Sequence, residues 1–484
     1  MVGVNGTVVL SWVTYEMVRA LLWSPLAKVP GPFANRLSSV PHILHTIKGD
    51  RIQWVEKLHR KYGEEVVLEP AMVISRRSAA VKTIYGNTAL QKSAFYDGLG
   101  FSGLHKHVLQ ARDNKVAIRT RKHILTIMTK DNLFGLEPIF HRYLAKFKKG
   151  VDSNNDDGKV DLMLWLRLLA MDIILEASFG KDFGQLDLGG LSDLTQAIFD
   201  AIRFNVIRAL IPGFQTAATY LPIPVLNRMA SSEARFLNLG TSGLETFKSA
   251  DNISHIMAPQ ALRPLFGEDE ESLVKELAAF AIAGSDTTST TLLYLFYELA
   301  LHPTLQEALY EEVAREISAE HYDTISRADV EKLPLLNAFI KETLRVHPPV
   351  PGFLPRDVPA TGIVLGGKFI PPGTVVSSSV HQTLRNPDVY HPDPDSFRPQ
   401  RWLEDVTEDM QRSFIPFSSG LRTCVGMNFA WSEIYVISAS ILCTYQFKLP
   451  EETTLASMEM VEGFFTLPKS GQCVLQLVKR SSNK

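Results

Sequence analysis

The sequence predicts a mainly α-helical chain with a smaller β-rich lobe, and three observations carry that reading. An apolar stretch from about Ser272 to His302, stopped by Pro303, suits one helix of about 45 Å at 1.5 Å per residue, enough to cross a whole domain. Strand signals are short and few. Glu64 to Glu69 faces Met72 to Arg77 across Pro70-Ala71, and Ile363 to Leu365 faces Lys368 to Ile370 across Gly366-Gly367, a pair suited to a primed two-residue turn. Finally, 45% of the 484 residues are apolar and no repeat or low-complexity tract interrupts them, so one large domain is the simplest organisation.

The N-terminus carries no charge over residues 1 to 15, then Glu16 and Arg19 intervene before Leu21, Leu22 and Trp23. A bilayer crossing needs about 20 apolar residues, so this run falls short. It also lacks the basic start and small-residue cleavage site of a secretory leader. Residues 1–27 are therefore read as a membrane-associating segment, either a short span or an interfacial helix, ahead of a folded body at 28–484. Asn5-Gly6-Thr7 is an acceptor sequon that matters only if this end faces a lumen. Lys28-Val29-Pro30-Gly31-Pro32 is stiff and unhelical and reads as a hinge. After the first hairpin the pattern is helical, and the polar segment 151–158 is expected to be an exposed loop.

The long helix is apolar on most faces, the mark of a buried helix. Lys275, Glu276, Asp286 and Glu298 argue against a lipid-embedded one. Its middle is a run of poor helix formers, Ser285, Thr287, Thr288, Ser289, Thr290 and Thr291, which can bond back to carbonyls. Thr374 to Val380 is a further strand candidate. With 50 basic and 52 acidic residues, nothing points to nucleic acid as a partner. Three cysteines, Cys424, Cys443 and Cys473, are too few and odd in number for a disulfide framework.

The most specific segment is Phe417-Ser418-Ser419-Gly420-Leu421-Arg422-Thr423-Cys424-Val425-Gly426. Gly420 and Gly426 would let backbone approach something large and flat. Cys424 would stand at a helix start, where free N–H groups and the nearby Arg422 favour a thiolate. An arbitrary cysteine is more often a small buried hydrophobe. Here, however, Phe, Gly, Arg, Cys and Gly at these offsets resemble the haem-binding signature of the cytochromes P450. At roughly 5% usage per residue type, five fixed positions recur by chance on the order of once in ten thousand such chains.

Further motifs follow in the family's order from Pro30 onwards. Glu342-Thr343-Leu344-Arg345 matches its Glu-x-x-Arg helix, and Phe397-Arg398-Pro399-Gln400-Arg401-Trp402 resembles the segment whose arginine joins that pair. The resemblance implies a buried structural network of Glu342, Arg345 and Arg401. Ala283-Gly284-Ser285-Asp286-Thr287-Thr288 looks like the oxygen-activation motif. By that likeness Ala283 and Gly284 leave room for dioxygen, Thr287 holds a water and Asp286 relays protons. Haem propionates would need Arg422, Arg356 and Arg121. At position 117, where the family commonly has Trp or His, this chain has Ala117, so Arg119 or Lys122 are substitutes for Arg121. Pocket walls are expected around 87–110, 197–221, 279–283, 350–354 and 463–465, with Ala283, Phe353 and Phe464 as named candidates.

The resemblance thus implies the P450 fold over 28–484, with haem b between the long helix and the cysteine loop and Cys424 as the axial iron ligand. It implies a haem-thiolate monooxygenase placing one oxygen atom from O2 in an apolar small molecule. Electrons would come from NADPH through a separate NADPH-cytochrome P450 reductase, since the chain shows no flavin or nicotinamide domain. The leader and motif variants look most like fungal microsomal enzymes of secondary metabolism, which implies an endoplasmic reticulum membrane with the catalytic domain facing the cytosol. Two alternatives stand beside this: an oxygen-independent P450-type isomerase or dehydratase, and a non-catalytic haem-binding protein. Thr287 and the complete Asp286-Thr287 pair argue against both.

Overall fold

The structure is a computed structural model describing residues 26–101, 106–154, 157–211, 213–221, 223–249, 257–267, 269–404 and 406–480, with a few positions before them. The segment at 1–27, with its sequon, lies almost wholly outside the described residues. Among the described residues no helix is long and apolar enough to cross a membrane.

The helices that position the site are α1 (Val40–Lys48), α2 (Arg51–Tyr62), α3 (Asn114–Ile127), α4 (Leu162–Phe179), α5 (Asp193–Leu210), α6 (Glu270–Leu301), α7 (Pro334–Val346) and α8 (Met427–Thr444). α4, α6 and α8 are buried on nearly every face and form the centre of the main core. α6 matches the expected long helix within two residues. Its start is set by Asp269, whose side chain accepts the Ser272 N–H at 3.1 Å, with Glu270 and Glu271 in the first turn where the dipole favours them. Its end is set by Pro303, which opens the next helix.

Each charge inside α6 has a partner, as a dry interior requires. Lys275 pairs with Glu271 at 2.5 Å and Glu276 accepts the Val108 N–H at 2.8 Å. Asp286 faces Arg167 of α4 at 3.4 Å, and Glu298 meets His347 at 2.6 Å. The hydroxyl run divides. Thr287 and Thr291 bond back to Ala283 O and Thr287 O, whereas Thr288 and Thr290 reach out to Glu433 and to Thr466 O.

The β-rich lobe holds the first hairpin, β1 (Glu65–Glu69) and β2 (Met72–Ser75), extended by β3 (Gln91–Lys92), β5 (Arg356–Asp357) and β8 (Val375–Ser378) into a sheet ordered β1-β2-β8-β5-β3. β2 and β8 are parallel there, and the other neighbours antiparallel. A second sheet joins β4 (Lys159–Asp161), β12 (Val474–Lys479) and β9 (Tyr445–Lys448). Two hairpins stand alone: β6 (Ile363–Leu365) with β7 (Lys368–Ile370), and β10 (Met460–Gly463) with β11 (Phe465–Pro468). Gly366 and Gly367, at φ 56° and 76°, make the expected primed turn.

Three expectations need correction. The Pro30–Pro32 stretch is fastened to the body: Val67 N–H donates to Pro30 O at 2.9 Å, and a Cβ on Gly31 would lie 2.9 Å from that of Val67. The polar segment at 151–158 is not all loop, because a helix runs on to Ser153 with Val151 buried. Asp152 is held there by Tyr445 Oη at 3.0 Å and Lys479 at 2.8 Å. The strand expected at 374–380 stops at Ser378, and Val380 begins a short helix.

Candidate active site

The cysteine loop is a set of nested turns. Cys424 N–H donates to Phe417 O at 2.8 Å, and Thr423 donates to Gly420 O through N at 3.0 Å and Oγ1 at 2.7 Å. Gly420 has φ 67°, and a Cβ there would stand 2.0 Å from the Tyr85 carbonyl oxygen. Its smallness therefore answers to the chain behind the loop, not to a flat group in front. At Gly426 a Cβ would meet nothing nearer than Cys424 Sγ at 4.0 Å, so that side is open. Phe417 packs against Trp431, with ring centroids 5.8 Å apart.

Gly426 is the N-cap of α8, so Cys424 stands two residues before the cap. Cys424 presents accessible surface yet lies among dense protein. The second fact governs its acidity. Burial raises its pKa above the usual thiol value, and the Gly426 backbone bond and the Arg121 charge offset this only in part. Arg422 does not secure a thiolate, because its Nε donates to Asn114 Oδ1 at 2.9 Å and its Nη2 to Arg112 O at 2.8 Å.

Beside the loop the structure gathers four cations. Arg121 donates to Thr423 O, tying α3 to the residue before Cys424. Arg356 is buried and bonds Tyr96 Oη at 3.2 Å and Leu354 O at 2.9 Å. Lys92, absent from the sequence-based candidates, is buried with Nζ on Leu109 O at 2.5 Å and over the Tyr96 ring at 4.3 Å. Burial and then the repulsion of Arg356, Arg422 and Arg121 hold the Lys92 ammonium well below its ordinary pKa. Arg422 is brought down to about 10 by burial, Arg356 and Arg121, and its Nη1 is buried without a hydrogen-bond partner. Among the described residues none of the four has a carboxylate at ion-pair distance. Arg119 and Lys122, the expected substitutes, are exposed on the outer face of α3 and do not join them. Arg121 does so without help from Ala117, which is fully buried.

On α6, Ala279, Ala283 and Thr287 recur at i, i+4 and i+8 and are accessible, Ala283 the most, on a helix otherwise packed all round. Thr287 Oγ1 donates to Ala283 O at 2.6 Å, which leaves the hydroxyl oxygen free to accept on that open face. Gly284 is turned elsewhere: a Cβ on it would lie 2.7 Å from Ile174 Cγ1, so its small size serves the α4–α6 contact rather than room for dioxygen. Asp286 points to Arg167, and burial, partly offset by that arginine, raises its pKa. Thr288 Oγ1 donates to Glu433 Oε2 at 2.9 Å, fastening the middle of α6 to the helix that follows Cys424. Glu433 is fully buried and its pKa is pushed well above the usual carboxylate value by burial. Sequence reasoning missed it, although its place nine residues after Cys424 on a continuous apolar helix was a signal.

Behind the loop, Glu342, Arg345 and Arg401 meet as the motifs imply. Arg345 grips Glu342 with two bonds of 2.8 Å and Arg401 Nε adds a third of 2.9 Å. Trp402 Nε1 and the Arg398 N–H fill the remaining acceptor positions at 2.9 and 2.8 Å. Arg345 spends its other donors on Leu384 O and Ser396 O.

A cavity of about 870 Å³ lies on the side of the β-rich lobe. Phe353 and Phe464 line it, with Phe95 and Phe101, Arg208 to Leu210, and Val350. Ala283, Thr287 and Cys424 do not. The cavity draws walls from four of the five expected stretches, all but 279–283.

A single open sulfur, four cations lacking carboxylate partners at ion-pair distance among the described residues and a helix face of small residues fit a large, flat, dianionic metal complex of the haem class. A family model of cytochrome P450 matches residues 30–475. The chain is 30% identical to "Cytochrome P450 monooxygenase tazI" of Aspergillus terreus, covering 94% of each. It is 31% identical to "Cytochrome P450 monooxygenase cicH" of Emericella nidulans, over 88% of this chain and 89% of that one. Among solved structures, "Retinoic acid bound cyanobacterial CYP120A1" superposes with a TM-score of 0.71 over 88% of this chain and 94% of that one, at 19% identity, a likeness of fold. The chain belongs to the cytochrome P450 family. It is a P450 monooxygenase, with haem as its cofactor and oxygen, a substrate and a redox partner as its general requirements.

Proposed function

We propose that this P450 inserts one oxygen atom from O2 into an apolar small molecule of fungal secondary metabolism, using electrons from NADPH through a separate reductase. The observation that carries the reading is the open Ala283–Thr287 face of α6 with Asp286 held at Arg167 beside it. Cys424 would hold haem b, Lys92, Arg121, Arg356 and Arg422 would offer cations for its propionates, and the group would supply the oxygen chemistry. Thr287 offers its oxygen as an acceptor on the open face. Asp286, with a raised pKa, carries protons between the Arg167 side and that face. Phe417, Gly420 and Gly426 shape the loop. Glu342, Arg345 and Arg401 hold the chain behind it. Ala283, Phe353 and Phe464 bound the route of the substrate.

The domain at 28–484 is catalytic, and residues 1–27 associate with the endoplasmic reticulum membrane, the catalytic body facing the cytosol. Two exposed apolar patches favour a membrane-facing side: Val40, Leu44 and Ile47 on one face of α1, and Tyr220, Leu221, Ile223 and Val225. Ser39 and Ile43 beside the first patch, and Gln215 and Thr216 near the second, line the cavity, so its mouth lies between them. The reductase docks on the exposed basic face of α3, at Lys115, Arg119 and Lys122.

The test is Thr287→Ala in the purified protein with a generic reductase. Haem, substrate binding and NADPH use should persist while product falls by at least about tenfold, a general acid–base group being worth about 10²–10⁴-fold in full, and hydrogen peroxide rises. Turnover without oxygen or NADPH would favour the isomerase instead, and full coupling in the variant would remove the role from Thr287.

A further inference from the structure

The tip of the β10–β11 hairpin is a single residue, since Gly463 pairs directly with Phe465 and Phe464 makes the turn between them. Phe464 has φ 86°, a conformation phenylalanine rarely adopts, and persists only where its surroundings over-determine it. The strand after the turn is tied to α6 through Thr290 Oγ1 on Thr466 O at 3.3 Å. The strand before it is tied elsewhere, through the residue paired with Thr466. Glu462, 2% exposed, takes two bonds from Arg51 at the start of α2, Nε to Oε2 at 2.9 Å and Nη2 to Oε1. Arg51 is itself buried and aligned by His42 Nε2 at 2.9 Å, and His42 Nδ1 is 2.5 Å from Glu69 Oε1 at the end of β1.

The same guanidinium lies 5.1 Å from the centre of the Phe353 ring, and His42 meets that ring edge-on at 5.7 Å. Gly352 completes the arrangement, because a Cβ there would stand 2.1 Å from Glu462 Oε1 and 2.7 Å from Arg51 Nη2. One buried ion pair, formed by positions 411 residues apart in the chain, therefore stands against one aromatic wall of the cavity, Phe353, and two residues before another, Phe464. Phe464 in turn packs with Phe95, Tyr96, Leu99, Val206 and Leu210, where α5 meets the segment after β3.

We propose that Arg51 and Glu462 are positioning residues which, by fixing Phe464 and Phe353, set the size and shape of the molecules that pass from the cavity to the haem. This rests on the reading of the cavity as the route of the substrate. Neither residue touches the reacting atoms. Both also line the cavity themselves, so loosening the pair changes the shape of its wall, through these side chains and the two rings, rather than the capacity to bind iron or oxygen.

The experiment uses the haem-loaded protein and three probes that coordinate haem iron through an azole nitrogen: imidazole, 4-phenylimidazole and the triaryl azole clotrimazole. Each is titrated by its shift of the Soret band. Arg51→Met with Glu462→Gln removes both charges together, so neither is stranded. The expected result is an unchanged imidazole Kd and a ratio of clotrimazole to imidazole affinity altered by about tenfold, the scale of a changed fit in an apolar pocket. Phe464→Ala alone should alter the ratio in the same direction. Adding it to the charge-free pair should give less than the sum of the two changes, because part of the pair's effect runs through that ring. An unaltered ratio in the charge-free pair, or effects that add, overturns the positioning role. If the charge-free pair does not fold, the same ratio is read in Gly352→Ala, whose Cβ displaces the pair, and an unaltered ratio there overturns it equally. Absence of any Soret shift with imidazole in the parent protein would instead overturn the haem reading itself.

Discussion

Two buried charge clusters in this molecule have opposite logic. At Glu342, the carboxylate is shared by Arg345 and Arg401 and every remaining donor ends on a carbonyl. At Lys92, Arg121, Arg356 and Arg422 the charges are all of one sign, and the first and last are held below their ordinary pKa by burial and by their neighbours. Charge in a low-dielectric interior is costly unless compensated. The first cluster carries its compensation within the chain and is therefore part of the fold. The second is complete only with anions from outside the chain, and so it marks a ligand site.

The comparison can be broken most directly at Glu342. Glu342→Gln leaves two buried guanidinium groups without their carboxylate, and a loss of about 3–5 kcal/mol of stability is expected by chemical denaturation of the apoprotein. A loss below about 1 kcal/mol, the level of an exposed ion pair, would mean the network is dispensable.

Lys92→Met should behave in the opposite way. Removing one of four repelling cations should leave apoprotein stability unchanged or raised. Haem should be held less tightly by about 1.5–3 kcal/mol, the worth of a hydrogen bond to a charged group, read as faster haem transfer to apomyoglobin. Equal haem retention in parent and variant would remove Lys92 from the site.

Acid and base should also separate the clusters. Burial pushes Glu342 up, but Arg345 and Arg401 more than reverse this and leave it below its usual 4.5. A depressed carboxylate stabilises fully above the unfolded pKa and loses that stabilisation as pH falls through the folded value. The parent should therefore show an acid-labile component below about pH 4.5 that Glu342→Gln lacks. Arg422 is shifted in the same direction, its folded pKa of about 10 lying below the free arginine value of 12.5. Here, however, the charged form is the disfavoured one, so the group costs stability at neutral pH and that cost fades as pH rises past about 10. The unfolded chain binds more protons in that interval, so this group's contribution rises with pH there. The smallest effect is expected from Arg119→Ala and Lys122→Ala. Haem retention should not change, and only the salt dependence of electron delivery should.

Much of the closed cluster was legible in the sequence because its members sit in short motifs. Glu342 and Arg345 are three apart on one helix, and Arg401 lies in a segment the family repeats. α6 was legible for local reasons too, Pro303 at its end and apolar residues on every face. Lys92 was not, because Gln91-Lys92-Ser93 has no periodicity and its neighbours come from β5, α3 and the cysteine loop. Arg51 and Glu462 were hidden in the same way, one on each side of almost the whole chain. Gly284 and Gly420 show a subtler limit. Sequence marks a glycine as needed but not which side needs it, and here Ile174 and the Tyr85 carbonyl give the answer.

The contact at Gly420 has a consequence for anyone exchanging parts between such enzymes. With a would-be Cβ only 2.0 Å from Tyr85 O, the cysteine loop has its depth gauged by the end of the helix Ser78–Tyr85, more than 300 residues upstream. A transplanted stretch spanning Phe414 to Gly426 would carry Cys424, the proposed iron ligand, but not its backstop. Chimeras that move this loop alone should seat the cofactor off-register, whereas those that move it with the Tyr85-Gly86 corner should not. The unit of exchange is two pieces of chain, of which one bears no cofactor ligand at all.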